Sequence, residues 1–276
     1  MKQNLMTIIR PKSAWRLFDF RELWQYRELL WIFAWRDIKV RYKQTVLGVL
    51  WVIFQPLVST VIFTFFFGRL AKIPSYDLPY SLFVLCGLVF WNFFSNSVSS
   101  ASASMHTNEG IIKKVYFPKI ILPFSSILTS FIDFLINLTM LLIIALILGY
   151  PPNAYGLIVF PMAIVITMLT AAGLGFFLSS LNVKYRDVGL IIPFFIQLLL
   201  FLSPIIYPLA IVSESNKLIM AINPMTSVIE SVRMVFSGRS FIDPRIITIS
   251  VVSSFALFIF GLWYFKKTEK FFADII

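Results

Sequence analysis

The chain has 276 residues, of which 59% are hydrophobic and only 13% charged, and it carries a formal net charge of +11. Soluble domains are nearer half apolar and a quarter charged, so a water-soluble core could not hide this much apolar surface and a bilayer is the expected solvent. The single Cys86 lies in an apolar run, which excludes a disulfide framework and a thiolate metal site and leaves a small apolar filler.

The expected class is an all-α membrane protein with six transmembrane helices, because lipid offers no partner to an unpaired backbone group and no ten-residue alternation suggests a barrel. Residues 1–45 form the leading segment; their charges are spread too evenly for a cleavable signal peptide. Within it ELLWIFAWRDIKVRYK (28–43) reads as an amphipathic helix, with Leu29, Ile32, Phe33 and Trp35 interleaved with basic residues. That composition suits the lipid–water interface. Runs long enough to cross about 30 Å of hydrocarbon fall at 46–67, 79–101, 120–148, 155–181, 188–207 and 246–265.

Spans one and two are rich in rings, and aromatic residues at span ends are an ordinary feature of membrane interfaces. Span two closes with SNSVSSASAS (95–104), where Ser95, Ser99 and Ala103 share a helix face and predict close helix packing. Next comes NEGIIKKVYFPKIILP (108–123), too charged to stay in lipid and too apolar for an idle loop. Ile111, Ile112, Val115 and Tyr116 recur at helical spacing while Lys113 and Lys114 point elsewhere. Asn108 is a candidate cap, Glu109 sits in the first turn, and Pro118 stops or kinks a helix of about two turns. The pattern fits a helix lying on lipid and equally a docking surface for a partner.

Within span three, Thr129, Asp133 and Asn137 fall on one face. A centred acid is costly, about 2.5–3.5 kcal/mol on insertion scales, and asks for a reason. With no second centred acid, interhelical hydrogen bonding is favoured over an ion relay. Between spans five and six, 208–240 reads as interfacial or re-entrant. Its NPMTSVIESVRMVFSG has Asn223 as cap, Pro224 in the first turn and Gly238 at the stop. Glu230 and Arg233 are spaced to pair across a turn, as an exposed pair of small worth. The chain ends in a short basic tail, 266–276.

Lys and Arg number eighteen on the side of the termini and six on the other, which places both termini in the cytoplasm. No G-x-x-x-x-G-K-[ST] loop, no His/Cys cluster around the lone His106 and no Ser/His/Asp set is present. The chain is therefore expected to be non-catalytic, with no cofactor or metal of its own, and to draw energy from a gradient or from another subunit.

Five blocks, WRDIKVRYKQTVLGVLWVIFQP (35–56), IIKKVYFPKIILP (111–123), LNVKYRDVGLIIPF (181–194), FLSPIIYP (201–208) and INPMTSVIESVR (222–233), together resemble one family over nearly the whole chain. It is the permease subunit of polysaccharide-exporting ABC transporters, the Wzm/TagG type that moves O-antigen, capsule or teichoic acid chains. The resemblance implies a homodimer in the bacterial inner membrane with two cytoplasmic ATPase subunits, which would bind ATP and Mg. It implies that 108–119 is the coupling helix, docking through Ile111, Ile112, Lys113, Lys114, Val115, Tyr116, Phe117 and Lys119. Residues 28–43 would flank the entrance gate, where Arg36, Lys39, Arg41 and Lys43 could meet the pyrophosphate of a lipid-linked glycan. Phe54, Phe90, Trp91 and Phe94 are candidate channel rings, because weak multi-site contacts let a polymer pass. Asn223, Pro224, Glu230 and Arg233 belong to the region that would gate the exit. The rival expectations are an ABC exporter of a smaller lipid or drug, an ion-coupled carrier leaning on Asp133, and a membrane-embedded transferase.

Overall fold

A computed structural model describes residues 24–43, 48–185, 187–238 and 243–272, without the side chain of Val49. Residues 1–23, Arg186, Arg239 and the end of the tail, whose charges bear on the expected orientation and on the absence of a signal peptide, lie outside the described residues. Among the described residues there is no strand. The helices are α1 (Arg27–Lys43), α2 (Gly48–Phe63), α3 (Tyr80–Thr107), α4 (Glu109–Ile112), α5 (Ile121–Ile147), α6 (Gly156–Lys184), α7 (Val188–Leu202), α8 (Glu214–Met220), α9 (Pro224–Ser237) and α10 (Pro244–Thr268). A π-helical segment, Thr64–Leu70, prolongs α2.

Hydrogen bonds between connections sort them into two ends. At the basic end His106 Nε2 lies 2.9 Å from the Asn182 carbonyl, and the Lys119 amide donates to Glu269 Oε1 at 2.9 Å. At the far end Tyr80 donates to the Ile206 carbonyl at 2.7 Å, Asn153 N to Val235 O at 3.0 Å, and Ser250 Oγ to Ala221 O at 2.8 Å. Helices α2, α3, α5, α6, α7 and α10 run between these ends in alternating directions.

Among the described residues, five helices are long and apolar enough to cross a bilayer. The expected fifth span, 188–207, is shorter: α7 has 15 residues, about 22 Å at 1.5 Å each. It stops because Pro204 forces Ser203 into an extended backbone, with ψ 145.

α3 is the hub, with α2, α5, α6, α7 and α9 packed against it. Its most apolar window is 78% buried, against 11% for the window on α2 and its π-helical extension, so α3 serves as core and α2 presents its side chains outward. α6 and α10 cross in backbone contact. A Cβ on Gly261 would stand 1.9 Å from Gly173 O, so only glycines permit this approach. The face Ser95, Ser99 and Ala103 does not pack as expected. Ala103 is exposed and Ser95 and Ser99 are only half-buried, while Ala101, Ser97, Ser102 and Ser104 face neighbours.

Candidate functional site

Residues 108–119 form a smaller helix than the spacing predicts. Only Glu109–Ile112 is helical; Lys113 and Lys114 turn, and 115–118 are irregular. Asn108 does not cap it. Its Oδ1 accepts from Arg36 Nη2 at 2.8 Å and its Nδ2 donates to Ser104 O at 2.8 Å. The eight residues also divide by face. Ile112 and Phe117 are buried among Phe33, Met105, Ile121, Phe265 and Phe272, with the Phe33 and Phe117 rings 5.7 Å apart. Ile111 is half-buried beside them, and the amide of Lys119 is held by Glu269. Lys113, Lys114, Val115 and Tyr116 face outward, Tyr116 at 82% exposure. The result is a rigidly rooted tip: two apolar anchors hold it in the bundle, and an apolar pair flanked by two lysines is presented beyond it.

α1 lies against this tip and then along α5. Besides Arg36–Asn108 and Phe33–Phe117, the Thr129 hydroxyl reaches the Ala34 carbonyl at 3.5 Å. Further along, Arg41 forms an ion pair with Asp133, and the Tyr42 hydroxyl donates to the same carboxylate. Burial and the Asp133 carboxylate push the Tyr42 phenol above its ordinary range. Asp133 thus meets its bonding partners within the chain, on a helix 92 residues earlier in sequence, where the sequence offers no cue. Asn137 is buried on the same face of α5.

The four basic residues assigned to pyrophosphate do not form one cluster. Arg36 is paired with Asp37 and Asn108, and Arg41 with Asp133, because both lie toward α5 and the tip. Lys39 and Lys43 lie on the outer side, Lys39 with its Nζ 5.6 Å from the Trp35 ring. Trp31 and Trp35 stack there at 6.3 Å, both exposed.

The candidate channel rings are likewise split. Phe90, Trp91 and Phe94 are at most 3% exposed and belong to the main core. Phe90 meets Phe134 at 5.0 Å and Trp91 meets Phe94 at 5.2 Å. They fill the space between α3 and its neighbours and cannot line an open path in this conformation. Phe54 is uncovered on α2, 5.9 Å from Trp51.

At the far end α8 and α9 meet at a bend of 110°. Asn223 Oδ1 accepts from Met225 N at 3.1 Å, Pro224 is the first residue of α9, and Gly238 ends it in the left-handed conformation, φ 66. Of the two expected placements, interfacial or re-entrant, α9 does not take the first; it is buried on nearly every side, wedged against α3 and α6. Glu230 and Arg233 are therefore not an exposed pair. Their side chains are 1% and 0% exposed and 3.1 Å apart. Arg233 also donates to the carbonyls of Phe83 (3.1 Å), Ile205 (2.6 Å) and Tyr207 (3.4 Å), with its guanidinium carbon 3.5 Å from the Phe83 ring centre. Glu230 Oε1 accepts from Leu209 N at 2.9 Å. One ion pair thus staples α9, α3 and the 203–211 connection. The Glu-x-x-Arg spacing inside an apolar helix was its only signal in the sequence.

The family described as ABC-2 type transporter matches residues 28–237. The chain is 28% identical over 254 residues to the O-antigen export system permease protein RfbA of Myxococcus xanthus, covering 91% of this chain and 96% of that one. It is 30% identical over 250 residues to the protein of the same name from Klebsiella pneumoniae, covering 90% and 95%. A more distant relative is the polysialic acid transport protein KpsM of Escherichia coli, 23% identical over 200 residues, with 71% and 76% covered. The matched region begins within α1 and ends with the last residue of α9, so it takes in both the rooted tip and the stapled helix: the chain belongs to the ABC-2 type transporter family.

Proposed function

We propose that this chain is the permease subunit of an ATP-driven exporter, and that two copies form the path for a polyprenyl-pyrophosphate-linked polysaccharide leaving the cytoplasm. The basic end is the cytoplasmic one, by the excess of Lys and Arg there, with both termini on that side of a bacterial inner membrane. Two ATPase subunits, which bind ATP and Mg, dock on the tips.

The observation that carries this reading is the tip itself. Val115 and Tyr116 are apolar, exposed and flanked by Lys113 and Lys114, while Ile112 and Phe117 fix them to the bundle. An apolar pair held this way suits a groove in a soluble partner. Its rooting also supplies a mechanical route. A push on the tip reaches α1 through Arg36–Asn108 and Phe33–Phe117, α10 through Lys119–Glu269, and α5 through Arg41–Asp133. Nucleotide-driven approach of the two ATPases would move these helices together.

Names of the relatives supply the cargo class, since RfbA is an O-antigen export permease and KpsM a polysialic acid transporter. An ion-coupled carrier is disfavoured, because Asp133 is already held by Arg41 and Tyr42. Deleting the chain tests the reading: lipid-linked polymer should accumulate inside the cell and its surface display should cease. Unchanged display would overturn it.

A further inference from the structure

Residues 82–91 of α3 are buried all round, but from Asn92 to Thr107 one face of the helix is only partly covered, with Asn92, Ser95 and Ser99 half-buried and Asn96, Ala103 and Thr107 exposed. Asn92, Ser95, Asn96, Ser99, Ala103 and Thr107 recur there at intervals of three and four, and no large apolar side chain shares the face. The other crossing helices differ: their uncovered faces show Leu50, Trp51 and Val61 on α2, Ile143 on α5, Phe194 on α7 and Ile259 on α10. Among the described residues, the amides of Asn92 and Asn96 have no hydrogen-bond partner. Hydrocarbon is a costly surrounding for such groups, so this face meets water or another polar surface.

Its extent is also informative. Fifteen residue steps at 1.5 Å give about 22 Å, from the basic end to beyond the middle of the bilayer. There it ends against the closed stretch of α3 that Arg233 and Ile205 cover. α2 and α7, which both pack on α3, remain largely uncovered themselves. The face carries amides and hydroxyls but no Lys, Arg, Asp or Glu, and His106 at its margin is engaged with the Asn182 carbonyl.

We propose that this face of α3 lines the cytoplasmic half of the translocation path and takes the uncharged, hydroxyl-rich sugar chain rather than its pyrophosphate head. The proposal rests on the export reading above. Amide and hydroxyl groups exchange hydrogen bonds with sugar hydroxyls at many weak sites, which allows binding and onward movement. A pyrophosphate would lack a countercharge here.

The natural chain is suited to the test, since its one cysteine, Cys86, is fully buried. Asn96→Cys and Ser99→Cys are compared with Ile259→Cys, on the uncovered apolar face of α10. Ser99 and Ile259 both lie about 12–14 Å from the basic ends of their helices at 1.5 Å per residue. Inverted membrane vesicles holding the complete transporter are treated with a charged, impermeant methanethiosulfonate. The path positions should react at least about tenfold faster than Ile259→Cys, as thiol reactivity follows exposure to water. Reaction at Ser99→Cys should slow several-fold in vesicles from cells that make the polymer. Reaction no faster than at Ile259→Cys would overturn the proposal, as would oxidative cross-linking between two copies at position 96 in place of labelling. Fast labelling indifferent to polymer would also overturn it, while the export reading would still stand or fall by the deletion experiment.

Discussion

Replacing Arg233 by Leu should destabilise the chain more than any surface change. The substitution removes the partner of Glu230 while leaving that carboxylate 1% exposed, and it strips donors from the carbonyls of Phe83, Ile205 and Tyr207. Breaking a buried pair from one side costs about 3–5 kcal/mol. At 2–4 °C per kcal/mol for a chain of this order, the midpoint should fall by roughly 6–20 °C. A fluorogenic maleimide reads this directly, because Cys86 is the sole thiol and is fully buried. The thiol also lies beside the perturbation: a Cβ on its neighbour Gly87 would stand 3.4 Å from Arg233 Nη2. Heating the detergent-solubilised chain with the dye should give an early rise in signal for Arg233→Leu. The double variant Glu230→Gln, Arg233→Met should recover part of the loss, since it leaves no buried charge. A single variant melting within about 2 °C of the natural chain, under 1 kcal/mol by the same conversion, would refute the staple.

Other predictions follow from the same geometry. Asp133→Asn should cost about 1–3 kcal/mol by weakening charge-assisted bonds to Arg41 and Tyr42, seen as a lower midpoint and faster labelling of a cysteine placed at the buried Ala34. Export should persist in part, and its abolition with stability intact would favour an ion relay. Val115→Asp with Tyr116→Ala should cut recovery of the ATPase subunit at least about tenfold, as loss of an anchoring aromatic does at interfaces. The midpoint of the chain should stay unchanged, because both side chains are exposed. Gly261→Val should prevent stable accumulation of the protein, since its Cβ would collide with the Gly173 backbone; normal levels in membrane fractions would contradict the close crossing of α6 and α10.

The sequence carried the all-helical class plainly, because long apolar runs are a local property set by bilayer thickness. Local chemistry was equally legible at α9, where Asn223, Pro224 and Gly238 mark the start and stop. Partners distant in sequence were not. Nothing near Asp133 announces Arg41 or Tyr42, and nothing at Gly173 announces Gly261. Glu230 and Arg233 were visible as a spaced pair, but a fourteen-residue helix gives no indication of whether its polar side meets water or the Phe83 ring. Rings posed the opposite problem. Phe90 and Trp91 lie in a stretch that is apolar on all sides, with Phe94 just beyond it, and such a stretch reads alike whether it faces lipid, core or channel. The partly covered face of α3 was legible as small and polar, but which neighbours it lacked depended on the packing of five other helices.

In the proposed transporter an ATPase subunit grips the tip between α3 and α5. Tyr116 should be replaced by a photoreactive phenylalanine analogue and irradiated in membranes of cells that make the transporter. The account predicts one dominant adduct, with a protein that carries a G-x-x-x-x-G-K-[ST] phosphate-binding loop and copurifies one-to-one, lost when Lys113 and Lys114 are changed to Glu. Adducts formed only with lipid, or with a second copy of the chain, would contradict it.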